Sequence, residues 1–156
     1  MFSKLIYKNH QEKLILFIYF FITTYLSFFY QFNEFGLYED DFASAHLYGN
    51  NLKEKFHLTK EIFTKFPMGR PITFFSLKVL TSIIYEFFGV KGLYLFCCLI
   101  LSINTYLIYL ILIRCGIDNI CSILGALLFI CFPSDTLKML IVRGFAVHLS
   151  ILICLL

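Results

Sequence analysis

Three consecutive acidic residues, Glu39, Asp40 and Asp41, are the most distinctive chemical feature of the sequence. They follow an apolar run that ends at Tyr30. Adjacent carboxylates raise one another's proton affinity, and desolvation near a membrane adds to that effect, so one of them is suited to act as a general base. The same residues also suit a solvated helix amino terminus, which carboxylates stabilise. Their spacing leaves both interpretations open.

A second candidate is Arg70, which stands between Gly69 and Pro71. Pro71 needs only a structural role, because proline is common in the first turn of a helix. A guanidinium group binds phosphate through two parallel hydrogen bonds, so Arg70 is suited to a phosphorylated ligand. An arginine at a membrane edge can equally contact lipid headgroups, and this alternative stays open.

Cysteine and histidine show no spacing typical of a metal site. All cysteines except Cys115 lie within apolar runs, where a thiol behaves as a small apolar group. The sequence contains no CxxC pair, and its histidines are scattered. We therefore expect no metal ion and no other cofactor. The net charge of +3 is small and unclustered, so we do not expect nucleic acid as a partner.

The elements that position the candidate residues are apolar helices. Hydrophobic residues make up 60% of the chain, charged residues only 15%, and the mean hydropathy is +0.82. Soluble domains carry about 25% charged residues, and a soluble fold of this size has too little interior for so much apolar surface. The composition predicts an all-α, polytopic membrane protein. The apolar runs predict about four transmembrane helices, with juxtamembrane helices on the outer face.

The first span is predicted at residues 14–30, since a spanning helix needs about 20 apolar residues. Three lysines precede it: Lys4, Lys8 and Lys13. Such a basic flank is typical of the cytoplasmic side, and no small-residue cleavage site follows, so we expect an uncleaved anchor with a cytoplasmic amino terminus. The second span, residues 93–113, is followed by Arg114, which marks another cytoplasmic end.

Residues 31–92 are then expected to form one loop on the outer side. Within this loop, residues 71–89 are apolar enough to span the membrane but carry Lys78 and Glu86. A charge at mid-membrane costs about 2.5–3.5 kcal/mol on insertion scales, and an amphipathic helix in the interface avoids that cost. A span here would also leave Arg114 outside. We therefore predict an interfacial helix over residues 71–89.

Two further spans are expected after Arg114. Residues 118–133 form a short span that ends at Pro133, and residues 144–156 begin a fourth. The last apolar run stops at Leu156 with no polar flank. We therefore expect the fourth span to be truncated.

The order of these features resembles the amino-terminal region of GT-C superfamily glycosyltransferases, and most closely their polytopic protein O-mannosyltransferase-like branch. The likeness rests on the acidic cluster after the first span, the Gly-Arg-Pro-Ile-Thr stretch at residues 69–73, an aromatic-Phe-Gly break, a span ending in arginine and a span ending in Phe-Pro. The resemblance implies that Asp40 and Asp41 are catalytic. It also implies that Asn104 belongs to an asparagine-containing span and that residues 71–89 lie on the outer face.

The resemblance implies a fragment of a membrane glycosyltransferase that uses a polyprenyl-phosphate sugar, in a bacterial inner membrane. Asp40 or Asp41 would deprotonate or orient the acceptor hydroxyl, while Arg70 and Glu39 would bind substrate, with Arg70 at the donor phosphate. Membrane lipid and the polyprenyl-phosphate sugar would be its partners.

Two other classes of protein remain as alternatives. A small non-enzymatic membrane protein, such as an assembly or interaction subunit, would need no chemistry from the loop. A transporter would need polar residues that converge at mid-membrane. Only Asn104 and Thr105 suggest such a feature, and residues of these types more often serve helix packing.

Overall fold

The computed structural model describes residues 10–30, 36, 52–65, 79–131 and 141–156. Within these residues the chain forms helices and no strands, which confirms the all-α expectation. The helices are α1 (His10–Thr24), α2 (Leu52–Lys65), α3 (Thr81–Arg114), α4 (Asn119–Cys131) and α5 (Ile141–Leu155). Two helical segments in the described part are long and apolar enough to cross a membrane: Gln11–Phe29 and Thr81–Arg114.

Helix α1 continues into a π-helical turn at Tyr25–Phe29. Its two threonines direct their hydroxyls back to carbonyls of the same helix, Thr23 to Tyr19 O at 2.9 Å and Thr24 to Phe20 O at 2.8 Å. Such bonds satisfy a hydroxyl without a partner from another helix. The helix also exposes an apolar stripe at helical spacing: Leu14, Ile18, Ile22 and Leu26. An outward apolar face of this kind suits a lipid environment.

Helix α3 is the central element of the fold and is broken at Gly89. Gly89 has φ 64° and ψ −166°, a combination that is essentially restricted to glycine. We call residues 79–88 the arm and residues 90–114 the shaft. The arm is the described part of the predicted interfacial helix, and Gly89 is where that prediction ended. At 1.5 Å per residue the shaft is about 38 Å long, more than the thickness of a bilayer's hydrocarbon core at about 30 Å.

A second glycine lets the arm lie close to the start of the shaft. A Cβ added at Gly92 would lie 2.0 Å from Cβ of Phe88, a distance that no side chain tolerates. The two glycines therefore have separate functions. Gly89 allows the non-helical turn. Gly92 has no side chain and so leaves room for Phe88, the residue just before Gly89.

The other helices pack along the shaft. Helix α1 runs antiparallel to it, because the ring of Phe29 packs on Tyr94 near one end and that of Phe20 on Tyr109 towards the other, with ring centroids 6.4 Å and 6.0 Å apart. Helices α4 and α5 also contact the shaft. The amino-terminal end of α1 and Arg114 consequently lie at the same end of the bundle.

A tight turn joins α3 to α4. Gly116, with φ 87°, donates its N–H to Ile113 O at 3.0 Å, and the N–H of Ile117 reaches Leu112 O at 3.1 Å. These two bonds are those of a Schellman motif, which satisfies the last carbonyls of a helix. The turn residues are exposed to solvent.

Asp118 then caps the amino terminus of α4. Its carboxylate accepts the backbone N–H groups of Ile120 and Cys121, each at 3.1 Å. Hydrogen bonds from the thiol and the backbone N–H of Cys121 lower the pKa of Asp118. The side chain of Asn119, at the start of α4, accepts a hydrogen bond from the Tyr109 hydroxyl at 2.8 Å.

We predict that Gly92→Ala destabilises the protein by about 1–3 kcal/mol, the usual cost of overpacking, because its new methyl group displaces Phe88 and with it the arm. The matched control is Gly125→Ala, whose methyl group meets only the flexible tip of Leu112, at 2.9 Å. Thermal unfolding in detergent, followed by the reactivity of the buried thiols of Cys97 and Cys98, measures both variants. Equal losses in the two variants would contradict the close approach at Gly92.

Candidate functional site

The four residues predicted to form the site lie outside the described residues. These residues are Glu39, Asp40, Asp41 and Arg70. The structure therefore shows no contact for any of them, and their roles remain predictions. It does describe chain on either side of them, namely α1, Gly36, α2 and α3.

One hydrogen bond fixes the chain just before the acidic cluster. The hydroxyl of Tyr94 donates to the backbone carbonyl of Gly36, at 2.9 Å. Tyr94 is only 1% exposed, and its ring packs against Phe29 at the end of the π-helical turn. Tyr94 lies in the first turns of the shaft, so Gly36 is held near the break at Gly89.

Exposed aromatic rings surround the same break. Phe87 and Phe88 are 68% and 63% exposed, with ring centroids 6.4 Å apart, and the ring of Phe96 lies 6.1 Å from that of Phe88. Lys91 is exposed between them in the sequence. Aromatic rings beside a lysine are typical of the headgroup region of a membrane, where an apolar body and a charged tip are both accommodated.

The anchor and the α3–α4 turn lie at opposite ends of the shaft. Twenty residues separate Tyr94 from Arg114, which corresponds to about 30 Å of helix. This length equals the thickness of a bilayer's hydrocarbon core, about 30 Å. The shaft is thus long enough to place Gly36 at one membrane surface and Arg114 at the other.

A buried polar contact lies further along the shaft. Asn104 is fully buried, and its side-chain amide donates to the backbone carbonyl of His148 on α5, at 2.8 Å. The ring of His148 meets that of Phe129 edge to face, with centroids 6.3 Å apart. Asn104 thus bonds to a second helix, whereas Thr105 bonds within its own helix, to Leu101 O at 2.8 Å.

Sequence reasoning missed both long-range contacts. In the sequence, Tyr94 is only one aromatic residue of the predicted second span, and His148 is one of four scattered histidines. The partners are 58 and 44 residues apart, and their spacing carries no periodic signal. Only the hydroxyl of Tyr94 and the amide of Asn104, polar groups within an apolar run, indicated that partners were needed.

The described residues contain no group of three or more His, Cys, Asp or Glu side chains able to hold a metal ion. Comparison with protein-family models, with curated proteins and with solved structures finds no match for this chain. Its function is therefore inferred from its own residues and from the geometry of the helices that position them.

We predict that Tyr94→Phe releases the loop and destabilises the protein by about 0.5–1.5 kcal/mol, because it removes one hydrogen bond and keeps the ring against Phe29. Limited proteolysis within residues 31–51 should become faster in this variant. Tyr19→Phe, which removes a hydroxyl from an exposed position on α1, is the matched control and should leave the cleavage rate unchanged. Unchanged cleavage in Tyr94→Phe would show that the bond does not hold the loop.

Proposed function

We propose that this chain is part of an integral membrane glycosyltransferase that transfers a sugar from a polyprenyl-phosphate donor to an acceptor on the outer face of a bacterial inner membrane. The observation that supports this function best is the hydrogen bond from Tyr94 to Gly36. This bond holds Gly36, three residues before Glu39, at the end of the shaft opposite Arg114.

The covalent chain limits how far the acidic cluster can lie from the anchor. An extended chain spans at most about 3.6 Å per residue, so Asp40 lies within about 14 Å of Gly36. The same anchor stands beside the break at Gly89 and the exposed rings of Phe87 and Phe88. This short reach from the anchor supports the proposal that the acidic cluster works near the membrane surface.

The charges at the two ends of the bundle support the orientation. Lys13 in the first turn of α1 and Arg114 at the end of the shaft lie at one end of the bundle, and the positive-inside rule makes that end cytoplasmic. The Tyr94–Gly36 anchor is then on the outer side. We propose α1, the shaft, α4 and α5 as the four spans. Helix α4, with 13 residues, covers about 20 Å and requires tilting or flanking residues to complete its span.

The proposed chemistry assigns the residues as follows. The carboxylate of Asp40 or Asp41 takes the proton of the acceptor hydroxyl as its oxygen attacks the anomeric carbon of the sugar. The bond from that carbon to the donor phosphate breaks, and the phosphate leaves with the electron pair. The guanidinium group of Arg70 stabilises the charge that develops on this phosphate, and Glu39 contributes to substrate binding.

We predict that Asp40→Asn or Asp41→Asn lowers sugar transfer by about 10²–10⁴-fold, the usual contribution of a general base. Transfer is measured in membranes that contain the full-length protein, supplied with polyprenyl-phosphate hexose. Glu54→Gln is the matched control, because Glu54 is an exposed carboxylate of α2 and belongs to the same predicted loop. Arg70→Gln should weaken use of the donor more than use of the acceptor.

Membrane abundance of each variant, measured by immunoblot, separates lost chemistry from lost protein. Full transfer in both Asp40→Asn and Asp41→Asn would overturn the catalytic assignment. A wild-type protein that transfers no hexose from any polyprenyl-phosphate donor would overturn the proposed function as a whole.

A further inference from the structure

Three buried hydroxyl side chains on α1 and the shaft satisfy their donor groups within their own helix. The hydroxyls of Thr24, Ser102 and Thr105 each donate to the carbonyl four residues earlier, at 2.7–2.8 Å. Asn104 departs from this pattern, since its amide nitrogen donates across to the backbone of α5. Asn104 is therefore a buried polar side chain that joins the shaft to α5.

Of the two polar groups in the Asn104 side-chain amide, only the nitrogen has a hydrogen-bond partner among the described residues. Its nitrogen must face His148 because the group it contacts there is a carbonyl, which accepts and cannot donate. The orientation of the amide is thereby determined, and its oxygen points elsewhere. That oxygen, Oδ1, is buried and has no hydrogen-bond partner among the residues that the structure describes. Asn104 itself is 0% exposed, so bulk water does not reach it.

The position of this oxygen restricts what can bind it. Ten residues separate Asn104 from Arg114, which is about 15 Å of helix and half of a hydrocarbon core. A charged group at that depth is costly, whereas a neutral hydrogen-bond donor is not. His148, whose carbonyl accepts the amide, is 5% exposed, and its ring lies against that of Phe129.

We propose that Oδ1 of Asn104 binds one internal water molecule in the contact between the shaft and α5, beside His148. Buried amide oxygens are almost always hydrogen-bonded, and internal waters typically satisfy those that protein groups do not reach. The water donates one hydrogen to Oδ1. This inference is independent of the proposed glycosyltransferase function, because it concerns neither the acidic cluster nor the loop.

The test is water-edited solid-state NMR on the full chain in lipid bilayers, which measures how fast magnetisation passes from water to individual protein groups. The protein carries ¹³C and ¹⁵N labels in asparagine and leucine. Exposed Asn119 provides the fast reference, and Leu101, which is 1% exposed and lies one turn from Asn104, provides the slow one. The side-chain signal of Asn104 is identified by its loss in Asn104→Leu or by sequential assignment of the wild type.

We expect the side-chain amide of Asn104 to receive magnetisation several-fold faster than the methyl groups of Leu101. Transfer to Asn104 as slow as that to Leu101 would overturn the proposal, because the oxygen would then be dry or bonded to a protein donor. Transfer that is fast at both residues would also overturn it, because the contact would then be an open aqueous crevice and would not hold one internal water.

Discussion

The backbone turn at Gly89 is the constraint on which the rest of the structure depends. It separates the arm from the shaft and so decides where the long central helix begins. Phe88 then lies close against Gly92, which has no side chain. Tyr94, two residues further on, donates its hydroxyl to the carbonyl of Gly36. A residue with a side chain at position 89 would favour one uninterrupted helix, in which the arm could not lie back against the start of the shaft.

The two ends of the shaft differ in kind because of this arrangement. The Arg114 end is closed by a Schellman motif and an aspartate cap, which satisfy the backbone groups of α3 and α4 locally. The Gly89 end instead receives a loop from α1 and exposes aromatic rings. Between the two ends, the buried hydroxyls of Thr24, Ser102 and Thr105 bond within their own helices. Among the residues that the structure describes, Gly36 and the exposed rings of Phe87 and Phe88 thus lie at the same end of the shaft.

Much of this fold follows from hydropathy, since long apolar runs must be helical where water is absent. The run from Leu14 to Tyr30 becomes α1 and its π-helical turn, and the run that ends at Arg114 becomes the shaft. The glycine after the aromatic pair was visible as a break because glycine interrupts a helix. The π-helical turn left no comparable signal. The contacts of Tyr94 with Gly36 and of Asn104 with His148 join distant residues, which one sequence does not reveal. The roles of Glu39, Asp40, Asp41 and Arg70 stay predictions, because these residues lie outside the described part of the chain.

The central claim is that the acidic cluster and the α3–α4 turn lie on opposite sides of one membrane. Thiol accessibility tests it directly, in variants with every other cysteine replaced by serine that carry either Asp40→Cys or the native, exposed Cys115. A membrane-impermeant maleimide applied to intact cells should label residue 40 and should reach Cys115 only after the membrane is permeabilised. Labelling of residue 40 only after permeabilisation, or labelling of both positions from the same side, would contradict the account.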